Sequence, residues 1–169
     1  NPAKPLRNPR GQRKLPHFLT NDEVGKLLEA PSLRDALGLR DHAILETIYS
    51  AGLRVSEVVG LNDGDLDFEE GVARIRGKGR KERLSPLGSF AIDALHAYFR
   101  RRTLSPKEPT GREAPTFVNR FGNRLTTRSV GRMLEKYIAQ TGLDSRTTPH
   151  TLRHSFATHL LAAGGDLRY

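Results

Sequence analysis

The chain has 169 residues, 28 Lys+Arg against 19 Asp+Glu, a formal charge of +9 and no cysteine. That length supports one domain with a true core, and the lack of cysteine excludes a disulfide frame or a thiolate metal site and fits a reducing, cytoplasmic setting. No apolar run nears the ~18–20 residues of a membrane span, and residues 1–14 hold no signal-peptide core. The basic excess favours an anionic partner, most often nucleic acid, although a merely solvated surface would carry the same charge.

Residues 1–14 contain Lys4, Arg7, Arg10, Arg13 and Lys14 among prolines and no acid. They read as a basic arm or linker, with the folded domain over residues 15–169. Thr20-Asn21-Asp22-Glu23 is a capping box, with Leu19 and Val24 as its hydrophobic staple. Val24, Leu27 and Leu28 supply the helical stripe that follows. A second helix is predicted from about Leu39 to Ala51, ended by Gly52. A short third helix starts near Arg54.

Asp65–Glu69 and Val72–Arg76 alternate as strands of a hairpin turning at Glu70-Gly71, and Arg83–Leu87 follows as a third strand. Ala91, Leu95, Tyr98 and Phe99 stripe another helix, which ends in Arg100-Arg101-Arg102. Ser105–Pro115 reads as a surface loop. Val130, Met133, Leu134, Tyr137 and Ile138 mark a helix capped by Thr126 or Thr127 and closed by Gly142. The last helix begins with Thr148 as N-cap and Pro149 at its first position, and ends at Gly164-Gly165. The predicted fold class is α+β, mostly α: a helical domain with a small three-stranded antiparallel sheet.

Chemistry concentrates in three places. His150, Arg153 and His154 share one face near the start of the last helix, where free amides already favour anions. Leu152, Phe156 and Leu160 lie on a different face and seat that helix in the core. The two histidines also fit a capping or core-edge role. An i, i+4 pair can bind a metal, but neither the glutamate of a zinc-protease helix nor another nearby ligand accompanies it. Arg54 and Glu57 form an i, i+3 pair directly after a helix stop, a pattern shared with ordinary surface ion pairs. Lys78 lies between Gly77 and Gly79 in the hairpin mouth. Flanking glycines permit close approach to a ligand, and a solvated turn lysine would look the same. A nucleotide P-loop is excluded, because a strand rather than a helix follows. Arg74, Arg76, Arg80, Lys81 and Arg83 make the sheet edge a candidate phosphate-tracking, DNA-binding surface.

Three boxes occur in order: Ala51-Gly52-Leu53-Arg54-Val55-Ser56-Glu57, Gly77-Lys78-Gly79-Arg80-Lys81-Glu82-Arg83, and His150-Thr151-Leu152-Arg153-His154-Ser155-Phe156-Ala157-Thr158-His159-Leu160-Leu161. With them the chain resembles the catalytic domain of tyrosine recombinases, the phage-integrase family, closest to the bacterial Xer type. The resemblance implies DNA cleavage and rejoining through a 3′-phosphotyrosyl intermediate, with no metal, ATP or other cofactor. It implies that Arg54 and Arg153 clamp the scissile phosphate, Lys78 protonates the departing 5′ oxygen, His150 assists proton transfer, and Glu57 orients its neighbours. The implied partners are double-stranded DNA at a recombination site and other recombinase protomers.

In the family a further His or Trp and then the nucleophilic Tyr lie roughly two to three dozen residues beyond the second arginine. The tyrosines here are Tyr49, Tyr98, Tyr137 and Tyr169. The first three read as helix or core residues, and Tyr169 falls too close to Arg153. The expectation is therefore a clamp without its nucleophile and with no family N-terminal DNA-binding domain. The alternatives are a recombinase-like module that only binds DNA, and a metal-dependent hydrolase built on His150 and His154.

Overall fold

The computed structural model describes residues 18–77, 79 and 81–162. The basic arm, Lys78, Arg80, the Gly164-Gly165 helix stop and Tyr169 lie outside the described residues. Six α-helices and one small sheet make up the rest: α1 Asn21–Glu29, α2 Ala36–Ala51, α3 Val55–Val59, β1 Leu66–Asp67, β2 Val72–Arg76, β3 Glu82–Pro86, α4 Ser89–Phe99, α5 Thr127–Thr141 and α6 Pro149–Ala162. The sheet is antiparallel in the order β1-β2-β3. The predicted class, α+β and mostly α, is the observed one.

Local chemistry explains most boundaries. Thr20 accepts from the Glu23 amide at 3.1 Å while Glu23 accepts from the Thr20 amide at 2.8 Å, which closes the capping box of α1. Leu19 and Val24 are both buried beside it. Gly52 ends α2 in the left-handed region at φ 67°, and Gly142 ends α5 likewise at φ 72°. Thr126 rather than Thr127 caps α5, accepting from the Ser129 amide at 3.2 Å. Thr148 caps α6 by accepting from the Thr151 amide at 3.1 Å.

Three boundaries differ from the sequence reading. Helix α2 starts at Ala36 rather than near Leu39, because Asp35 caps it by accepting from the Gly38 amide at 2.8 Å. Strand β1 keeps only Leu66 and Asp67 of the expected Asp65–Glu69. Asp65 is drawn into a 3-10 turn, where its carboxylate accepts from the Asn62 amide at 2.9 Å, and Asp67 turns the chain by accepting from the Glu70 amide at 2.9 Å. The Ser105–Pro115 loop runs on the surface as far as Glu113 and only its last two residues turn inward. Ala114 and Pro115 are buried, with the Ala114 carbonyl accepting from the Asp63 amide at 2.9 Å.

The core lies around α2. Tyr49, Ile44, Leu45 and Ile48 meet α4 through Leu95, and α6 through Leu152 and Phe156. Tyr49 packs edge-on against Phe156 with ring centroids 4.6 Å apart. Leu160, expected in the seating face of α6, is only half-buried. Two arginines that looked like surface charge hold the frame instead. Arg102 forks onto Asp63 at 2.8 and 2.9 Å, donates to the Pro115 and Thr116 carbonyls, and lies 4.5 Å over the Phe99 ring. Arg124 donates to the Val59 and Leu61 carbonyls at 2.7 and 3.1 Å and to Asn62. Together they fix the chain between α3 and β1, and with it the base of α3. Among the described residues, no helix is long and apolar enough to cross a membrane.

Candidate phosphate-binding site

The site forms where the end of α2, the start of α3, the start of β3 and the first turns of α6 converge. Gly52 leaves α2 in a left-handed turn, so its carbonyl no longer points along the helix. The Nε of Arg153 donates to that oxygen at 3.0 Å, across 101 positions of sequence. This orients the guanidinium and leaves both terminal nitrogens for another acceptor. Gly52, His150, Arg153, His154 and Ala157 line a cleft of about 280 Å³. His150 and His154 are exposed there, with His154 stacked on Phe18 at 4.7 Å. The α6 backbone is anchored behind them: Ser155 is fully buried, and its Oγ accepts from the Leu19 amide at 2.9 Å.

One turn along the chain, Arg54 is the N-cap residue of α3 and Glu57 its third residue. The Glu57 carboxylate is buried and accepts from the Arg54 amide at 2.9 Å. Arg83 of β3 donates to both of its oxygens, at 2.9 and 3.1 Å. The Arg54 guanidinium makes only a 3.5 Å contact with the same carboxylate and is 60% exposed. Burial pushes the Glu57 carboxyl up, but the Arg83 fork, the Arg54 amide and both guanidinium charges outweigh it, so it is held below the ordinary range. Arg153 is shifted down from its ordinary value, first by burial and then by the nearby positive charge of Arg54 and, to a smaller extent, Arg83. Three cations and one carboxylate thus share a small volume. The imbalance suits an anion with two or more free oxygens.

Of the sequence-predicted residues, Arg54, Glu57, Arg83, His150 and Arg153 come together. Lys78 and Arg80 lie outside the described residues. The Lys81 side chain is exposed, and its carbonyl accepts from the Gly77 amide at 2.7 Å to close the hairpin turn. Arg74 and Arg76 alternate with the buried Ala73 and Ile75, so they stand on the opposite face of the sheet. There Arg74 lies 3.8 Å from Glu82, and Arg76 pairs with Asp65 at 2.8 Å. The Arg83–Glu57 fork was not anticipated. Strand alternation could have shown it, because Arg83 is in phase with buried Ser85 and opposite buried Ile75.

Size alone does not single out this cleft. Larger ones of about 500 and 570 Å³ are lined by Asp35 and Asp41, and by Asp65, Asp67, Glu69 and Glu70. On those walls the carboxylates outnumber the cations, which are Lys136 in the first and Arg74 and Arg112 in the second, and that balance opposes a phosphate. Among the described residues, no group of three or more His, Cys, Asp or Glu side chains could hold a metal ion. Tyr49, Tyr98 and Tyr137 are all buried. The Tyr137 hydroxyl donates to Asp41 at 2.6 Å, and the Tyr98 hydroxyl accepts from the Val118 amide at 3.1 Å. Burial pushes the Tyr98 phenol up to about 12, and burial together with Asp41 pushes the Tyr137 phenol up as well.

The Phage integrase family matches residues 17–169 of this chain. The chain is 48% identical over 173 residues to the tyrosine recombinase XerC of Syntrophus aciditrophicus (strain SB), covering 99% of this chain and 55% of that protein. It is 46% identical over 171 residues to XerC of Pelotomaculum thermopropionicum (strain DSM 13744 / JCM 10971 / SI), covering 99% and 56%. The chain thus spans about half the length of the curated relatives it matches. Among solved structures it resembles the XerA recombinase, with a TM-score of 0.76 and 31% identity over 96% of this chain and 57% of that one. It also resembles the XerH site-specific recombinase bound to its difH substrate in a pre-cleavage complex, with a TM-score of 0.73 and 31% identity over 90% and 45%.

Proposed function

This chain belongs to the phage integrase family, and from that premise we propose that its cleft grips one backbone phosphate of double-stranded DNA during site-specific recombination. The observation that carries the reading is the docking of Arg153 onto the Gly52 carbonyl, two residues before Arg54, whose own main chain the Glu57 carboxylate holds. Two guanidiniums facing one phosphate neutralise its charge and stabilise the extra charge of a pentavalent transition state. A tyrosine oxygen attacks phosphorus and the DNA 5′ oxygen leaves, so the phosphate ester is exchanged without loss of bond energy. His150 takes the phenolic proton and Lys78 supplies one to the departing oxygen, which balances the step.

The attacking hydroxyl does not come from the three described tyrosines, because all are buried. On this reading the 169-residue chain alone holds the phosphate without breaking the diester. DNA as the partner, together with a sequence without cysteine, supports a cytoplasmic protein that acts with other protomers at one recombination site. The XerH complex with difH supports DNA as the partner.

The burial of those tyrosines also favours a second reading, a module that binds DNA without cleaving it. Incubation with nicked duplex DNA separates the two. The chain alone is expected to form no covalent protein–DNA adduct, and an adduct lost on Tyr169→Phe would overturn this assignment of roles. Appending the segment that follows the second arginine box in the XerC relatives is expected to produce the adduct. Tight binding with no adduct from that longer chain would leave the binding-only reading.

A further inference from the structure

Arg83 was expected to track DNA phosphates along the sheet edge, yet its strand register turns it the other way. On β2 and β3, Ala73 pairs with Ser85 and Ile75 with Arg83, and the first three of these are buried. Arg83 therefore stands on the inner face of the sheet, at its open end. A cation there needs a partner, and the buried Glu57 carboxylate provides one.

Glu57 has two guanidiniums within reach and can satisfy one of them fully. Arg83 takes the fork, at 2.9 and 3.1 Å. Arg54 is left with its amide bonded at 2.9 Å and its guanidinium at a long 3.5 Å, mostly open to solvent. A buried carboxylate without Arg83 would draw another cation into a closed pair, and among the described residues Arg54 already stands 3.5 Å away.

Resting on the phosphate-clamp reading above, we propose that Arg83 is a positioning residue that occupies Glu57 and thereby keeps the Arg54 guanidinium free to bind phosphate. Glu57 then fixes the Arg54 main chain without capturing its side chain. A lysine at position 83 would keep the charge but lose the planar two-point fit to the carboxylate.

The test is a set of binding curves for the full chain on a short DNA duplex at one fixed salt concentration. Arg83→Met preserves most of the stem packing. It is expected to weaken binding roughly tenfold, close to the loss from Arg54→Ala alone. Added to Arg54→Ala, it is expected to cost little more, because Arg83 acts through Arg54. Glu57→Gln added to Arg83→Met removes the charge that captures Arg54, and is expected to recover most of the lost affinity. Arg83→Lys is expected to bind more weakly than the unchanged chain.

Urea midpoints for each variant show whether it is folded, and the Glu57→Gln recovery separates positioning from simple loss of structure. If Arg83→Met weakens the Arg54→Ala chain as much as it weakens the original, and Glu57→Gln restores nothing, then Arg83 contacts DNA directly and the inference is wrong. If Arg83→Met leaves binding unchanged while Arg54→Ala weakens it, the inference is also wrong. If Arg54→Ala itself leaves binding unchanged, the phosphate clamp fails whatever Arg83 does.

Discussion

Arg153 donates from Nε to the carbonyl of Gly52 at 3.0 Å, so the second turn of α6 is keyed to the C-cap of α2. That bond exists only because Gly52 adopts φ 67°. An added Cβ at Gly52 would meet nothing within 4 Å, so space is not the constraint. The backbone conformation is.

Gly52→Ala is therefore expected to cost about 1–2 kcal/mol, the penalty of a left-handed backbone for an L side chain. Urea denaturation measures it. DNA affinity should fall with it, because the carbonyl that orients Arg153 moves. Unchanged stability would mean that this turn bears no conformational constraint.

Glu57 makes the fold sensitive to acid, with a definite sign. Its carboxyl is held below its ordinary value of 4.5, so its stabilising contribution is complete above that pH. The contribution is lost as pH falls from there through the lower folded value. Glu57→Gln should destabilise the chain near neutrality by about 1–3 kcal/mol, toward the low end because the outer side of Arg83 is open to water. The difference between the two proteins should shrink below pH ~4.5. Urea midpoints collected across that range check it, and a constant difference would rule out the ionised pair.

Ser155 is buried, and its Oγ is the acceptor for the Leu19 amide at 2.9 Å. Ser155→Ala strands that buried N–H, at an expected cost of about 1–3 kcal/mol. Amide hydrogen exchange at Leu19 should accelerate by more than global destabilisation accounts for. Equal acceleration across all core amides would contradict a local role.

Tyr98 and Tyr137 serve the frame. Tyr137→Phe removes the 2.6 Å bond to buried Asp41, and Tyr98→Phe leaves the Val118 amide without its acceptor. Each is expected to lower stability by about 1–3 kcal/mol while leaving DNA affinity unchanged once folding is complete. A variant that stays folded but loses DNA binding would place that tyrosine in the site.

Much of this was legible beforehand, and the reason differs by residue. Thr20, Gly52, Gly142 and Thr148 act on their own neighbours in sequence, so each helix boundary they set could be read locally. The arginine and histidine positions stood out because Arg54-x-x-Glu57 and His150-x-x-Arg153 put their chemistry on single helical turns. Arg102 and Arg124 could not be told from surface cations, because their partners Asp63 and the Val59 and Leu61 carbonyls lie far away along the chain, and for Arg83 strand phase shows the inward face but not its distant partner Glu57. Composition counts such residues as charge available to DNA, whereas the fold commits them to acceptors within the protein. Strand β1 was overestimated for a related reason. The alternation of Asp65–Glu69 looks like a strand, but Asp65 reaches back to accept from the Asn62 amide and Asp67 reaches forward to accept from the Glu70 amide.

The central claim is that Arg54 and Arg153 grip the same phosphate. The most direct measurement is a double-mutant cycle of Arg54→Ala and Arg153→Ala, read as affinity for a short DNA duplex at fixed salt. Shared binding of one phosphate is expected to make the paired loss smaller than the sum of the single losses by ~1 kcal/mol or more. Losses that add to within ~0.5 kcal/mol, or no loss at all, would contradict it.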